Sequence, residues 1–317
     1  MSSGWGQRSR RSARRKAKEE KKMSFFGRVL TAMVTPLDEA GNVDFPQAAA
    51  LARRLADSGS DGIVVAGTTG ESPTLTDDEK IRLVGTVKEA VAGRAVVVAG
   101  TGTNDTRHSI HLTKEAGRAG ADAFLLVNPY YNRPSQDGLY AHFVAIAEST
   151  GRPCMLYNIP GRTGVNCTPE TIARLAEVRN IVAVKEASGS LDQASEIRRK
   201  TPQTFEIYSG DDSLTLPILS VGGRGIVSVA SHLVGPDIQE MVRAHERGDL
   251  RKALQIHLRL FPLFKVLFIT TNPVPVKAAL NMSGFRVGKP RLPLVEATAK
   301  EKEQIQAILK ELALVAV

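Results

Sequence analysis

Residues 181–185 read Ile181-Val182-Ala183-Val184-Lys185, and this run indicates how the chain folds. Four continuously apolar positions, three of them β-branched, are typical of a strand that is buried on both faces. Lys185 ends the run, and a lysine at the buried end of a strand is costly to keep charged. Its neutral amine would be a nucleophile that forms Schiff bases with ketones. A solvated strand-end lysine is the ordinary alternative, so the run alone does not assign a function.

Runs of this kind recur along the whole chain, alternating with longer amphipathic stretches. The eight strand candidates are Val29–Val34, Gly62–Ala66, Ala95–Ala99, Ala123–Val127, Met155–Tyr157, Ile181–Lys185, Phe205–Ser209 and Gly225–Val229. The helix candidates between them are Pro46–Ser58, Asp77–Ala92, Asp105–Ala119, Gln136–Ser149, Pro169–Glu177 and Leu191–Lys200. Eight alternating units predict an α/β fold, a closed (β/α)8 TIM barrel. An open doubly wound sheet is the alternative, but Gly-x-Gly-x-x-Gly does not follow the first strand.

The chain divides into three parts on this interpretation. Residues 1–22 form a basic tail that we expect to be disordered, residues 23–235 form the barrel, and residues 236–317 form a helical subdomain. The last part contains no strand-like run and is predicted to hold about four helices, ending with the amphipathic segment Ala297–Leu314.

Composition excludes several classes of protein. A hydrophobic content of 42% and a charged content of 24% are typical of a globular protein. No apolar run approaches the roughly 18 residues of a membrane span. The basic N-terminus is not followed by an apolar signal segment, and two cysteines are too few for a disulfide framework. We therefore expect a cytoplasmic protein that does not bind a membrane.

The positive charge is concentrated in the tail. Of the formal net charge of +9, residues 1–22 carry nine basic and two acidic side chains, which leaves +2 for the rest. The tail could bind nucleic acid, but its basicity alone does not make this the expected role.

The loops that follow the strands hold the candidate site residues, since reactive groups gather there in barrels. Gly67–Ser72 could cradle a carboxylate or form a capped turn. Tyr130 and Tyr131 lie on a loop stiffened by prolines, where surface packing is the alternative. Tyr157 could face the barrel axis beside Lys185, and Arg162 could bind a substrate carboxylate or lie free on the surface.

A divalent metal is not expected. Ser209-Gly210-Asp211-Asp212 offers two carboxylates, but neither a histidine nor a second acidic cluster accompanies them. Asp211 is predicted to cap the following helix. No cofactor is predicted either.

Together these motifs resemble the dihydrodipicolinate synthase (4-hydroxy-tetrahydrodipicolinate synthase) family, within the N-acetylneuraminate lyase superfamily of class I aldolases. The resemblance runs from about Phe26 to the C-terminus. The residues that carry it are Gly67-Thr68-Thr69-Gly70-Glu71-Ser72, Pro129-Tyr130-Tyr131-Asn132-Arg133-Pro134, Tyr157-Asn158-Ile159-Pro160-Gly161-Arg162-Thr163-Gly164, Val184-Lys185-Glu186-Ala187 and Ser209-Gly210-Asp211-Asp212.

The resemblance implies a reaction and the residues that perform it. Lys185 would form an imine with pyruvate, which becomes an enamine and adds to aspartate semialdehyde on the diaminopimelate route to lysine. Tyr157 would be the general acid/base. Thr68 and Tyr131 would relay protons, with Tyr131 reaching in from a neighbouring subunit of a homotetramer.

Substrate binding is implied in the same way. Thr69 would hold the pyruvate carboxylate, with the backbone of Gly210 and Ile226 nearby. Arg162 would bind the carboxylate of the semialdehyde, and related sugar-acid aldolases generally lack this arginine.

The resemblance also implies an effector site for lysine, with Ser72, Asn104 and Tyr130 at matching positions. His108 replaces a glutamate, and Lys80 replaces a histidine, of lysine-sensitive members. Adding positive charge should weaken the binding of a cationic ligand. We therefore expect little or no inhibition by lysine.

Two other functions remain open from the sequence. The first is another aldolase of the superfamily, which would cleave N-acetylneuraminate or a 2-keto-3-deoxy sugar acid. The second, less favoured, is a nucleic-acid-binding role for the basic tail.

Overall fold

The computed structural model describes residues 24–315, so the basic tail predicted over residues 1–22 lies outside the described residues. Eight parallel strands pair in chain order, and the eighth pairs with the first to close a barrel. The strands are β1 (Val29–Ala32), β2 (Gly62–Val65), β3 (Val96–Gly100), β4 (Ala123–Val127), β5 (Cys154–Asn158), β6 (Ile181–Glu186), β7 (Glu206–Ser209) and β8 (Gly225–Ser228). The predicted TIM barrel is therefore confirmed, with strand ends shifted by at most two residues.

Helices follow each strand on the outside of the barrel. They are α1 (Phe45–Asp57), α2 (Asp77–Val91), α3 (Thr106–Arg118), α4 (Gln136–Glu148), α5 (Pro160–Thr163), α6 (Pro169–Leu175), α7 (Leu191–Lys200), α8 (Thr215–Ser220), α9 (Ser231–Glu246), α10 (Leu250–Val266), α11 (Val274–Met282) and α12 (Ala299–Glu311). Capping side chains determine where several of these helices begin. Thr76 and Glu79 form a reciprocal capping box on α2, and the Thr168 side chain caps α6.

The side chains of each strand alternate between two apolar layers, because successive residues point to opposite faces. The outer layer packs strands against helices. The inner layer fills the barrel and includes Val64, Val98, Met155 and Tyr157. Phe26, fully buried, belongs to this inner layer and packs edge-on against Tyr208. The barrel interior is thus a packed core, which leaves the loops at the C-terminal ends of the strands to form a site.

The predicted boundary between barrel and helical subdomain, at residue 236, falls inside α9. This helix starts at Ser231 and includes Pro236 within its span. Val234 has non-helical backbone angles just before the proline, so the chain kinks there and continues. α9 packs on β1 and α1 as the last helix of the barrel, whereas α10 and α11 pack on α9, and α12 packs on α10 and α11. The helical turns after the kink begin within two residues of the predicted boundary, which itself stays a prediction.

Within residues 24–315, no helix is long and apolar enough to cross a membrane. Both cysteines, Cys154 and Cys167, are buried and free. Burial raises the pKa of each thiol to about 12, with Glu186 adding to the effect at Cys167. The cysteines are therefore inert packing residues in this fold.

Candidate active site

Lys185 and Tyr157 lie side by side at the C-terminal ends of β6 and β5. They are directly paired in the register of the two strands, and both side chains are buried. The Lys185 Nζ atom lies 4.0 Å from the centroid of the Tyr157 ring. This places an amine and a phenol within reach of one bound molecule, as the sequence predicted.

Gly210 packs against the stem of Lys185. A Cβ atom at Gly210 would lie 2.6 Å from the Ala187 Cβ atom and 3.1 Å from the Lys185 Cε atom. Real Cβ atoms do not come as close as 2.6 Å, so a side chain here would clash with Ala187 and press on the Lys185 stem. The glycine therefore allows the β7 loop to close over the lysine.

A cavity of about 470 Å³ lies among the loops that follow β2 to β5, and Tyr157 lines it whereas Lys185, Thr69 and Gly210 do not. Thr68, Tyr130, Tyr157 and Arg162 all line it. The cavity is thus bordered by a hydroxyl, two phenols and a guanidinium group. Such a mixture of apolar walls and a few polar groups is typical of a site for a small anionic molecule.

Thr69 and Arg162 are connected through Asn272, which sequence reasoning missed. The Asn272 Nδ2 atom donates to the Thr69 Oγ1 atom at 2.9 Å. The backbone carbonyl of Asn272 accepts a hydrogen bond from the Arg162 Nη2 atom at 3.2 Å. Thr69 and Asn272 are both buried. A residue of the C-terminal subdomain therefore contacts two predicted substrate-binding residues.

A buried ion pair joins the same loop to the C-terminal subdomain. The Lys277 Nζ atom is 2.6 Å from the Glu71 Oε1 atom, and both side chains are at most 2% exposed. The backbone N–H of Arg291 donates to the other Glu71 oxygen at 2.7 Å. Glu71 itself has a left-handed backbone, with φ at 58°. The loop that carries Thr68 and Thr69 is thus fixed to the C-terminal subdomain.

Tyr131 is not part of the cavity within one chain. Its side chain is 90% exposed, and its backbone has a positive φ of 74°. Neighbouring Tyr130 lines the cavity, and burial raises the pKa of its phenol. The two tyrosines of this loop therefore face different surroundings.

Ile226 is likewise not brought to the cavity by its side chain. It lies on β8 in the outer layer, fully buried, and its N–H donates to the Arg28 carbonyl at 2.9 Å. Any role of this residue toward substrate stays a prediction.

Four of the five predicted effector positions line the same cavity, namely Ser72, Lys80, His108 and Tyr130. The Asn104 carbonyl instead accepts a hydrogen bond from the Asn132 side chain at 2.8 Å.

Asp77, which the sequence did not single out for this role, connects the effector positions Lys80 and His108. Its carboxylate lies 2.8 Å from the His108 Nε2 atom and 3.7 Å from the Lys80 Nζ atom. Burial would raise the pKa of Asp77, but the hydrogen bond and charge of His108, together with Lys80, outweigh burial and lower it. The carboxylate is therefore ionised and already engaged.

The two carboxylates after β7 have structural partners. Asp211 accepts from the N–H of Ser213, so the predicted cap is confirmed. Asp212 is buried and accepts from Ser228 and from the N–H groups of Val229 and Ala230. Burial raises its pKa to about 6 despite these bonds. Among the described residues, no group of histidine, cysteine or acidic side chains is arranged to hold a metal ion.

Known proteins resemble the chain over nearly its whole length. A family model described as the dihydrodipicolinate synthetase family matches residues 25–312. A curated protein of Desulforudis audaxviator, named 4-hydroxy-tetrahydrodipicolinate synthase, is 63% identical over 90% of this chain and 97% of its own. A protein of the same name from Thermosynechococcus vestitus is 60% identical over 92% and 99%.

The solved structures agree. A dihydrodipicolinate synthase from Cyanidioschyzon merolae, crystallised with lysine bound, superposes with a TM-score of 0.91 at 51% identity. The match covers 92% of this chain and 99% of that one. Because family model, sequence and fold all agree, this chain belongs to the dihydrodipicolinate synthetase family.

Proposed function

We propose that this chain is a 4-hydroxy-tetrahydrodipicolinate synthase, a lyase of the class I aldolase type that condenses pyruvate with aspartate semialdehyde on the diaminopimelate route to lysine. The observation that carries the proposal is the buried pair of Lys185 and Tyr157, whose tyrosine lines a cavity together with Arg162. The name shared by relatives at about 60% identity supports the same reaction.

Lys185 supplies the nucleophile. Its amine attacks the keto carbon of pyruvate, and loss of water gives an imine. The imine is an electron sink, so the methyl group loses a proton and the enamine forms. The enamine carbon then adds to the aldehyde carbon of the semialdehyde. The semialdehyde amine finally attacks the imine carbon, which closes the ring and releases Lys185.

Tyr157 moves the protons of these steps. Its ring lies against the Lys185 amine, so its hydroxyl can serve the keto oxygen that leaves as water. A phenol is a weak acid at neutral pH and needs a relay to exchange protons with solvent. Thr68, on the cavity wall, and Tyr131 of a second copy are the proposed relay groups.

Thr69 and Arg162, which both contact Asn272, bind the two substrate carboxylates in this proposal. Thr69 holds the carboxylate of pyruvate, near the loop of Gly210. Arg162 lines the cavity and holds the carboxylate of the semialdehyde through its guanidinium group. Contact with the backbone of Ile226 is part of the proposal as well.

The assembly proposed is a homotetramer, a dimer of dimers. Two exposed features support two different interfaces. Tyr131 projects into solvent at the mouth of the site. Leu250, Leu254, Leu258 and Phe261 form an exposed apolar stripe on α10, each at least 40% exposed. Large exposed apolar patches mark interfaces between proteins.

Subunit mixing tests the exchange of Tyr131. Tyr131→Phe and Lys185→Ala are each expected to lose most turnover. A mixed dimer would contain one site with an intact Lys185 and an intact Tyr131 from its partner. Mixing the two variants after mild dissociation should therefore restore activity. If activity is not restored although mixed dimers form, Tyr131 does not act between subunits.

The reaction itself is tested by turnover of pyruvate with aspartate semialdehyde, coupled to the next reductase and followed as loss of NADPH. Robust turnover is expected, and Arg162→Ala should lower use of the semialdehyde more than pyruvate-dependent trapping by borohydride. The alternative is tested with N-acetylneuraminate and 2-keto-3-deoxy sugar acids. Cleavage of these by folded protein that does not turn over the semialdehyde would replace the proposal.

A further inference from the structure

Asn272 contacts both groups that bind substrate carboxylates in the proposed function. It lies between α10 and α11, about two hundred residues from Thr69 in the chain, and is only 6% exposed. Its side chain reaches Thr69, and its backbone carbonyl reaches Arg162. No other described residue is hydrogen-bonded to both side chains.

The direction of the bond to Thr69 decides what the threonine can do. A hydroxyl has one proton to donate and accepts through its lone pairs. The Asn272 Nδ2 atom donates to the Thr69 oxygen, so the threonine proton is left free to donate elsewhere. A carboxylate only accepts hydrogen bonds. The amide thus prepares Thr69 to donate to a carboxylate.

We infer that Asn272 is a positioning residue for substrate binding, which turns the Thr69 hydroxyl toward the carboxylate of pyruvate and steadies Arg162 through its carbonyl. This inference rests on the proposed function, in which Thr69 and Arg162 bind the two carboxylates. It makes the C-terminal subdomain part of the site.

The segment around Asn272 is held firmly enough for this task. Five residues further on, Lys277 pairs with Glu71, two residues beyond Thr69. The Lys277 Nζ atom also donates to the Lys289 carbonyl at 3.0 Å. The segment of Asn272 and the loop of Thr69 are thus joined by two contacts, Asn272 with Thr69 and Lys277 with Glu71. Such contacts hold a binding group in position before substrate arrives.

The other end of the Asn272 amide makes no hydrogen bond within the described residues. Its Oδ1 atom is buried and accepts no hydrogen bond from the described residues. A buried amide oxygen without a partner is destabilising. Among the described residues, the bond to Thr69 is therefore the one hydrogen bond that this buried side chain makes.

The test compares Asn272→Asp with Asn272→Ala. In Asn272→Asp, a carboxylate would accept the Thr69 proton, turn the hydroxyl away from pyruvate and repel the substrate charge. We expect the pyruvate concentration that half-saturates borohydride trapping of Lys185 to rise at least about tenfold. Asn272→Ala should raise it by a smaller factor. KM for the semialdehyde should change less in both, because the backbone carbonyl at Arg162 is retained.

Asn281→Asp is the matched control, since Asn281 lies in the same subdomain and bonds only to the backbone of Val287 and Gly288. It should leave the half-saturation for pyruvate unchanged. The inference is overturned if Asn272→Asp behaves like this control, or if Asn272→Ala loses melting temperature but keeps normal pyruvate saturation. Wild-type protein that shows neither trapping nor turnover would instead overturn the proposed function.

Discussion

Two buried lysines of this chain have opposite surroundings. Lys277 is 1% exposed and forms an ion pair with Glu71. Lys185 is 5% exposed and lies against the Tyr157 ring, and no carboxylate of residues 24–315 lies within ion-pair distance of it. A buried amine with a counter-ion is held in place by that ion, whereas one without is available for chemistry. The position of a lysine in the fold does not decide its role, but its partners do.

The largest expected effect comes from removing the lysine without a counter-ion. Lys185→Met should lower turnover at least about a thousandfold, because no other group replaces the nucleophile. The melting temperature should change little, since no buried carboxylate is left unpaired. The coupled assay and calorimetry measure the two effects. Borohydride with pyruvate should label wild-type protein at Lys185, and labelling of another lysine instead would contradict the assignment.

Removing the paired lysine should produce the reverse pattern. Lys277→Met leaves Glu71 as an unpaired buried carboxylate and should cost about 3–5 kcal/mol in the free energy of unfolding. Urea unfolding measures this loss. The folded fraction should still be labelled at Lys185 by borohydride with pyruvate.

Two further variants test whether burial of the Lys277–Glu71 pair causes this loss of stability. Lys277→Met with Glu71→Gln removes both charges and should recover part of the lost stability. Lys88→Met breaks the half-exposed pair with Asp122 and should cost only about 0–1 kcal/mol. An equal loss in Lys88→Met and Lys277→Met would mean that burial of the pair is not the cause.

Burial also disfavours the charged form of two histidines, His232 and His142. Burial lowers the pKa of His232 and of His142 to about 4, with Asp105 partly opposing the effect at His142. Because these folded-state pKa values lie below the ordinary 6.5, the unfolded chain takes up protons first on acidification. Stability should therefore be complete above pH 6.5 and fall as the pH drops toward 4.

Each histidine should contribute about 1–3 kcal/mol to this acid loss. The free energy of unfolding, measured between neutral and acid pH, should fall less steeply with decreasing pH in His232→Gln and in His142→Gln than in wild type. His245→Gln, at the end of α9, is the control because His245 is not fully buried. Equal slopes in all three variants would show that other groups cause the acid loss.

The sequence predicted the parts of the site that depend on local pattern. Apolar runs located the strands, and strand register then placed Tyr157 beside Lys185. What it could not predict were partners far apart in the chain, such as Asn272 with Thr69. No periodicity links a loop after β2 to the start of α11, because such a contact exists only once the helical subdomain has packed on the barrel. For the same reason Lys277 carried no signal of its own.

The effector positions were predicted, but their internal contact was not. Asp77 was expected only as a residue at the start of α2. Its carboxylate instead lies between Lys80 and His108, on the cavity wall. Lys80 thus also has a counter-ion, at the border of the site.

The smallest expected effect is the response to lysine itself. Its ammonium groups would meet Lys80 and a carboxylate that His108 already occupies, so binding should be at least about tenfold weaker than where a free carboxylate is offered. Initial rates with increasing L-lysine, at constant ionic strength, should therefore stay near the uninhibited value through the sub-millimolar range. D-lysine controls for general ionic effects, and calorimetric titration separates failed binding from binding without inhibition. Half-inhibition by sub-millimolar L-lysine would show that Asp77, Lys80 and His108 rearrange to admit a cation.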